Sequence, residues 1–162
     1  MDKIRFDENG IMLRPRRQDA CVRRRAAEMA LPSIRQWSYF SETDAELIEN
    51  LMKYIDGHDG YEIVKAMERD HWCVNSALVD IMDSGFIEDA LRELLAQWVK
   101  CLGVKLDIPK GSKVHWRGKI GIVADHKRNY AQYCIQTPEQ AEGTTWICDA
   151  EEVKLVAEEK AA

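Results

Sequence analysis

Most of the signatures that would assign this chain a reaction or a compartment are missing. No apolar run approaches the roughly eighteen residues that a membrane-spanning helix needs, so no membrane partner is expected. The opening segment, Met1 to Glu8, has no apolar stretch of the kind that marks a secretory signal, which makes cytoplasmic residence the expectation. The five cysteines, Cys21, Cys73, Cys101, Cys134 and Cys148, are odd in number, widely spaced and form no C-x-x-C. In a cytoplasmic chain they read as small buried hydrophobes rather than as a disulfide framework or a zinc site, although Cys134 and Cys148 fall on candidate neighbouring strands.

Catalytic patterns are scarce as well. Gly57 and Gly60 lack the Lys-Ser/Thr step of a phosphate loop. No serine or cysteine sits in a nucleophile elbow. Asp56-Gly-His-Asp59 and His71-x-Cys73 are the tightest groups of possible metal ligands. The first has the Asp and Gly that helix capping alone requires, and neither has the oxygen set of a calcium loop or the thiolate pairs of a zinc site. Paired carboxylates such as Glu46/Glu49 and Glu88/Asp89 are solvated helix-surface charge. The expectation is a protein that is not an enzyme and holds neither metal nor cofactor.

What the 162 residues do contain is 46% hydrophobic and 31% charged side chains, the balance of a globular protein of one medium domain or two small ones. The net charge of −5 is unevenly spread. Residues 1–40 hold nine Lys/Arg against five Asp/Glu, residues 41–103 hold five against fourteen, and residues 104–162 hold nine of each. A basic arm followed by an acidic middle has the polarity to orient a partner.

The coarse reading is α+β. Residues 1–40 form a basic arm. Its helix, from Arg16 to Ala30, ends at Leu31-Pro32, and an aromatic connector, Ser33 to Phe40, packs Trp37, Tyr39 and Phe40 on the core. Residues 41–103 form an acidic four-helix domain. Ser41 or Thr43 caps its first helix, with Leu47, Ile48, Leu51, Met52 and Ile55 on one face and a stop at Asp56-Gly57. Asp59 with Glu62 starts the second helix and Asn75 the third, which Ser84-Gly85 breaks. The fourth runs from Phe86 to Leu102, apolar at Ile87, Leu91, Leu94, Leu95, Trp98, Val99 and Leu102, and Gly103 stops it. A linker, 104–109, leads to five strands within 110–157: Ser112–Trp116, Lys119–Ala124, Tyr130–Gln136, Thr144–Cys148 and Val153–Val156. Arg117-Gly118 is a tight turn, Asp125 to Asn129 a polar hairpin loop, and Asp149 to Glu152 one turn of 3₁₀ helix. Residues 158–162 are a frayed tail.

Gly111-x-x-Val114-x-Trp116, Gly118-Lys119-x-Gly121-x-Val123, Tyr130-x-x-Tyr133, Trp146-Ile147 and Val153-x-Leu155 together resemble an SH3-like small barrel of the KOW/Tudor type. The resemblance covers about the last 47 residues. It implies a five-stranded SH3-like β-barrel that binds RNA, protein or a chromatin peptide, or that serves as a structural add-on. In size and composition the helical part is similar to small bacteriophage accessory proteins.

Two binding surfaces follow from the charges. The acidic one comprises Asp44, Glu46, Glu49, Asp56, Asp59, Glu62, Asp80 and Asp83, and would meet a basic groove on a protein partner. The basic one comprises Arg16, Arg17, Arg23, Arg24 and Arg25 in the arm with Lys113, His115, Lys119, Lys127 and Arg128 in the barrel, and would meet phosphates. Strand alternation puts Val114 and Trp116 on one face and Lys113 and His115 on the other, so Trp116 reads as core rather than as a stacking platform. A helix-turn-helix is rejected, because Ser76 to Asp83 offers no Arg, Lys or Gln to a groove and carries Asp80 and Asp83 instead. The leading expectation is a non-enzymatic protein-binding factor. Its concrete version is a phage or mobile-element inhibitor of a host nucleic-acid-handling complex, of anti-CRISPR or anti-restriction type. The alternative is an RNA-binding or ribonucleoprotein accessory module acting through the barrel. Oligomeric state is open, and an exposed Trp37 or Trp72 would favour dimers.

Overall fold

A computed structural model describes residues 7–55, 59–141 and 143–156. Helices α1 (Ala20–Trp37), α2 (Asp44–Leu51), α3 (Gly60–Arg69), α4 (Ser76–Met82) and α5 (Phe86–Leu102) precede strands β1 (Lys113–Trp116), β2 (Lys119–Lys127), β3 (Gln132–Gln136), β4 (Trp146–Asp149) and β5 (Val153–Leu155). This is the α+β order expected. By their internal contacts the residues form two units, Met1–Leu94 and Leu95–Ala162.

The helix starts follow from their caps. Thr43 closes a capping box on α2: its Oγ1 accepts from the Glu46 amide at 3.3 Å, and Glu46 Oε2 accepts from the Thr43 amide at 2.9 Å. Asp59 Oδ1 caps α3 at 2.9 Å and Asn75 Oδ1 caps α4 at 2.9 Å. Ile34 and Ala30 of α1, Leu47 and Leu51 of α2, Met67 of α3 and Leu78 of α4 are fully buried in one core. The α3–α4 approach is closer than a side chain allows. A Cβ on Gly60 would stand 2.4 Å from the Val79 carbonyl oxygen and 2.6 Å from the Asp83 nitrogen.

Three helical expectations are corrected. Helix α1 does not stop at Leu31-Pro32 but carries Pro32 inside it and runs on to Trp37. Pro32 lies on the solvent face, as does Glu28 one turn earlier, so the carbonyl that loses its partner is on the side open to water, while burial of Ala30 and Ile34 holds the helix on both sides of the ring. Of the connector aromatics only Phe40 enters the core; Trp37 is 60% and Tyr39 90% exposed. Helix α2 ends at Leu51, and Lys53 and Tyr54 donate instead to the Asn50 and Leu51 carbonyls three residues back, a tightened last turn that still leaves Ile55 buried.

The strands form one antiparallel sheet in the order β4-β3-β2-β1-β5. Its core face carries Val114, Trp116, Val123, Tyr133, Ile135, Cys148 and Val153. Leu106 and Ile108, from the segment expected as a linker, pack against this cluster. The Ile108 amide donates to the Tyr133 hydroxyl at 3.2 Å, and the Ile108 carbonyl lies 2.9 Å from His126 Nε2, which must carry the proton because a carbonyl only accepts. The ladder itself does not close. β4 and β5 each pair on one side only, so this is an open sheet compatible with a small barrel-like domain rather than the closed barrel expected. The 3₁₀ turn Ala150–Glu152 joins the two edges. Such a turn spans less than about 10 Å, whereas the edges of a flat five-stranded sheet lie about 19 Å apart, so the sheet is strongly curled.

The expected polar loop Asp125 to Asn129 is also corrected. β2 continues to Lys127, and the chain turns through a 3₁₀ turn, Arg128–Tyr130. A bulge between Val123 and Asp125 shifts the register there, which hides the strand from any reading based on strict alternation.

Candidate functional site

The turn Arg117-Gly118 sets the geometry of the sheet. Both residues have positive φ, 46° and 78°, as a two-residue hairpin requires, and the turn pairs Trp116 with Lys119, Val114 with Gly121 and Lys113 with Ile122. Residues opposite one another share a face. With Val114 in the core, Gly121 faces it too, and a Cβ there would stand 2.4 Å from Ile135 Cγ2. Lys113, His115, Ile120 and Ile122 are therefore on the open face, joined from β5 by Lys154, which pairs with His115.

That face is apolar to an unusual degree for a solvated sheet. Ile120 is 43%, Ile122 52% and, on β4, Ile147 52% exposed. Ile120, Ile122 and Ala124 line a cleft of about 640 Å³ whose other wall is Thr137, Pro138 and Gln140. The Thr137 amide donates to Gln140 Oε1 at 3.0 Å, and Lys119 Nζ bonds Glu139 Oε2 at 2.6 Å, so the wall is braced to β2. Of the described carboxylates nearby, Glu139 is engaged by Lys119 and Asp125 by Lys110. The Lys110 ammonium and the His126 amide hold the Asp125 carboxyl below its usual range. Lys113 and Lys154 have no carboxylate partner among the described residues, so the charge left on this face is positive.

The arginines of the arm lie against carboxylates of the helical unit, and Arg24 with Glu49 is the pair that joins a member of each surface read from the sequence. Arg17 pairs with Glu88 and Arg24 with Glu49; Arg25 Nε bonds Glu93 Oε2 at 3.0 Å and its Nη1 bonds Glu28 at 3.2 Å; Arg35 bonds Asp44 at 2.9 Å. The Glu93 and Glu28 bonds raise the Arg25 guanidinium pKa. Arg23 Nη1 donates to the Met52 carbonyl at 3.2 Å, and Arg16 is exposed, its amide donating to Asp19. Of the acidic set, Asp44 and Glu49 are thus in ion pairs, and Glu46 and Asp59 are caps. The Thr43 amide and hydroxyl draw the Glu46 pKa down. Asp83 Oδ1 accepts from the Gly60 amide at 3.1 Å, Glu62 and Asp80 are exposed, and Asp56 lies outside the described residues. In the sheet, Lys127 and Arg128 are exposed at the far end of β2.

Trp116 is 8% exposed, as strand alternation predicts, and its indole N–H donates to Glu152 Oε2 at 3.1 Å. Arg117 grips the same carboxylate through Nε at 3.0 Å and Nη2 at 2.9 Å. None of the five cysteines is in a disulfide; Cys134 and Cys148 are buried, but Cys73 and Cys101 are exposed, contrary to the reading of all five as buried hydrophobes. Burial pushes the Cys148 thiol up to about 12. Among the described residues no group of three or more His, Cys, Asp or Glu side chains is placed to hold a metal ion, and no helix is long and apolar enough to cross a membrane.

Compared with known proteins, the chain matches no family model, no curated protein and no solved structure. The apolar cleft is the feature that the sequence reading missed. Its signal was present: a two-residue turn at Arg117-Gly118 fixes which of Ile120, Gly121 and Ile122 shares a face with Val114.

Proposed function

We propose that the protein is a non-enzymatic protein-binding factor that receives an extended segment of its partner on the open face of the sheet. The observation that carries this reading is the exposure of Ile120 and Ile122 in the braced cleft. Contiguous apolar surface on a solvated face marks an interaction site. Charge complementarity selects the occupant: with Asp125 and Glu139 engaged and Lys113 and Lys154 without a carboxylate partner among the described residues, the matching segment presents apolar side chains at alternate positions and carboxylates beside them. The strand order and the 3₁₀ turn ahead of β5 support an SH3-like fold of the KOW/Tudor type, a class of binding modules.

A narrower reading, inhibition of a host nucleic-acid-handling complex by an acidic helical surface, draws on Glu46, Asp59, Glu62 and Asp80, which have no basic partner among the described residues. The RNA-binding reading draws on Lys127 and Arg128. It is weakened by the burial of Trp116 and Tyr133, two of the rings that would stack on bases.

The deciding experiment titrates two ligand sets in parallel: extended peptides alternating Leu or Ile with Glu, and labelled single-stranded RNA and DNA at low and moderate salt. Peptide binding that falls at least tenfold in Ile122→Glu and is weakened by Lys113→Glu supports the reading. Submicromolar, salt-dependent RNA binding lost on charge reversal of Lys113, Lys119 and Lys127, without peptide binding, replaces it with the RNA-binding one.

A further inference from the structure

A second cleft lies wholly within the helical unit, away from any residue assigned above to partner binding. It encloses about 460 Å³ and is lined by the loop after α1 and the segment after α3, including Tyr39, Phe40, Glu42, Asp70, His71 and Trp72. Its aromatic wall is fixed in place. Phe40 and Trp72 meet edge to face with centroids 5.3 Å apart, and Tyr54 backs Trp72 at 6.3 Å. The Trp72 indole N–H donates to the Tyr54 hydroxyl at 3.1 Å, and that hydroxyl donates to Asp70 Oδ2 at 2.7 Å. Burial and the Asp70 carboxylate raise the Tyr54 pKa, which keeps this donor protonated.

The opposite wall is equally braced. Arg35 donates to the Phe40 carbonyl at 2.8 Å and to the Glu42 carbonyl at 2.5 Å, and pairs with Asp44. Its guanidinium is spent on the backbone of this loop and on Asp44, leaving the Glu42 carboxylate without an ion-pair partner among the described residues. Tyr39, 90% exposed, is packed against nothing that would explain a large aromatic at that point. No lysine or arginine lines the cleft.

His71 is the outlier. It has φ of 67°, at the position after a helix where glycine is the usual residue. The Trp72 amide bonds the Met67 carbonyl at 3.1 Å and the His71 amide bonds the Glu68 carbonyl at 2.9 Å, so the turn is a Schellman motif that a glycine would satisfy with less strain. A bulky ring kept at such a position, on the rim of a cleft, points to use of that rim.

Aromatic side chains and two carboxylates, with no lysine or arginine in the lining, are the ingredients of a cation receptor. From these we infer that the cleft binds an organic cation, the guanidinium or ammonium of an arginine or lysine side chain presented by a partner. The loop carrying Tyr39 and Glu42 and the Trp72–Tyr54–Asp70 chain are held before any ligand arrives, so little ordering is needed on binding.

The test is a ¹⁵N-resolved NMR titration of the full chain with Nα-acetyl-arginine amide, Nα-acetyl-lysine amide and tetramethylammonium. Nα-acetyl-citrulline amide serves as the uncharged shape match for arginine. The expected result is saturable shifts of the Trp72 indole and of the 70–73 amides, with a dissociation constant on the order of 1 mM for at least one cation and no saturation with citrulline. Preference among the three cations tells an arginine side chain from a lysine or a small quaternary amine. Both Glu42→Gln and Tyr39→Ala change exposed or half-buried side chains, and each is expected to weaken binding about fivefold or more while leaving the rest of the spectrum in place. Equal shifts with citrulline, shifts that grow linearly without saturation, or affinity unchanged in both variants would overturn the inference.

Discussion

Replacing Gly60 by alanine adds one methyl group, and its cost can be worked out from the geometry. Gly60 is the first residue of α3, buried against α4, and its φ is not in the left-handed region, so alanine fits the backbone conformation. What it does not fit is the space. The new Cβ would stand 2.4 Å from the Val79 carbonyl oxygen, 2.6 Å from the Asp83 nitrogen and 2.9 Å from the Asp83 Cβ. Two of these three atoms are backbone of one helical turn, which cannot swing aside as a side-chain end can. Overpacking against such atoms belongs at the upper end of its usual range, about 3 kcal/mol. The better helix propensity of alanine returns less than about 1 kcal/mol, leaving about 2 kcal/mol net. For a unit of this size that is a fall in melting temperature of roughly 8–16 °C. Thermal and urea unfolding followed by far-ultraviolet circular dichroism would measure it. Gly103→Ala is the control, because its Cβ would meet nothing within 4 Å and its only cost is a φ of 60°. A Gly60→Ala protein as stable as the wild type, or no less stable than Gly103→Ala, would refute the packing argument.

Glu152→Ala leaves the Trp116 indole N–H, in a residue 8% exposed, without its acceptor, and is expected to cost the sheet unit about 1–3 kcal/mol in urea unfolding. The loss should shrink when Trp116→Phe removes the donor as well. Asp125 has a carboxyl pKa below its unfolded value because of Lys110 and the His126 amide, so its contribution to stability is complete above about pH 4 and is lost as pH falls through the folded value. Asp125→Asn should therefore flatten the acid limb of a stability–pH curve; an unchanged slope would show that the pair is not linked to folding. Thiol labelling read by mass spectrometry should modify Cys73 and Cys101 in the native protein and reach Cys148 only after unfolding, since burial keeps that thiol protonated at neutral pH.

How much of this was legible in the sequence differs between elements for identifiable reasons. Helix α5 lies where its periodicity puts it, from Phe86 to Leu102, because a long amphipathic run between two glycines has no competing reading. The caps at Asp59 and Asn75 were legible because capping is a local interaction, and Thr43 was one of two candidates, with Ser41, for the cap of α2. The end of α1 was not, since a proline rule is local while the burial of Ile34 that overrides it is tertiary. β2 was cut short in reading because a bulge breaks the two-residue alternation on which strands are recognised. Of the candidate residues, the faces of Val114, Trp116, Lys113 and His115 followed from alternation alone. The fate of the arginines did not, because ion pairs such as Arg25 with Glu93 join positions 68 apart in the chain. The cleft in the helical unit was illegible for the same reason: Tyr39 read as a packing aromatic and Trp72 as a residue that would favour dimers if exposed, until the fold brings their two distant segments together.

The ion pairs that join the N-terminal arginines to α2 and α5 have a consequence for how the protein is felt from a distance. Along the chain the charges form blocks of opposite sign, a distribution that would project a long-range dipole. Folding folds that dipole in on itself: Arg17 lies against Glu88, Arg24 against Glu49, Arg25 against Glu93 and Arg35 against Asp44. Opposite charges in contact make short multipoles, whose potential dies within about one Debye length, roughly 8 Å in physiological salt. What remains is an acidic excess, thirteen Lys/Arg against nineteen Asp/Glu over residues 1–94, so from a distance the helical unit is felt as an anion rather than as a basic arm beside an acidic body. Removing the first 40 residues would deepen this excess. The remaining segment 41–103, with fourteen acidic and five basic residues, would behave as a polyanion, and any binding it then showed would belong to the fragment rather than to the protein.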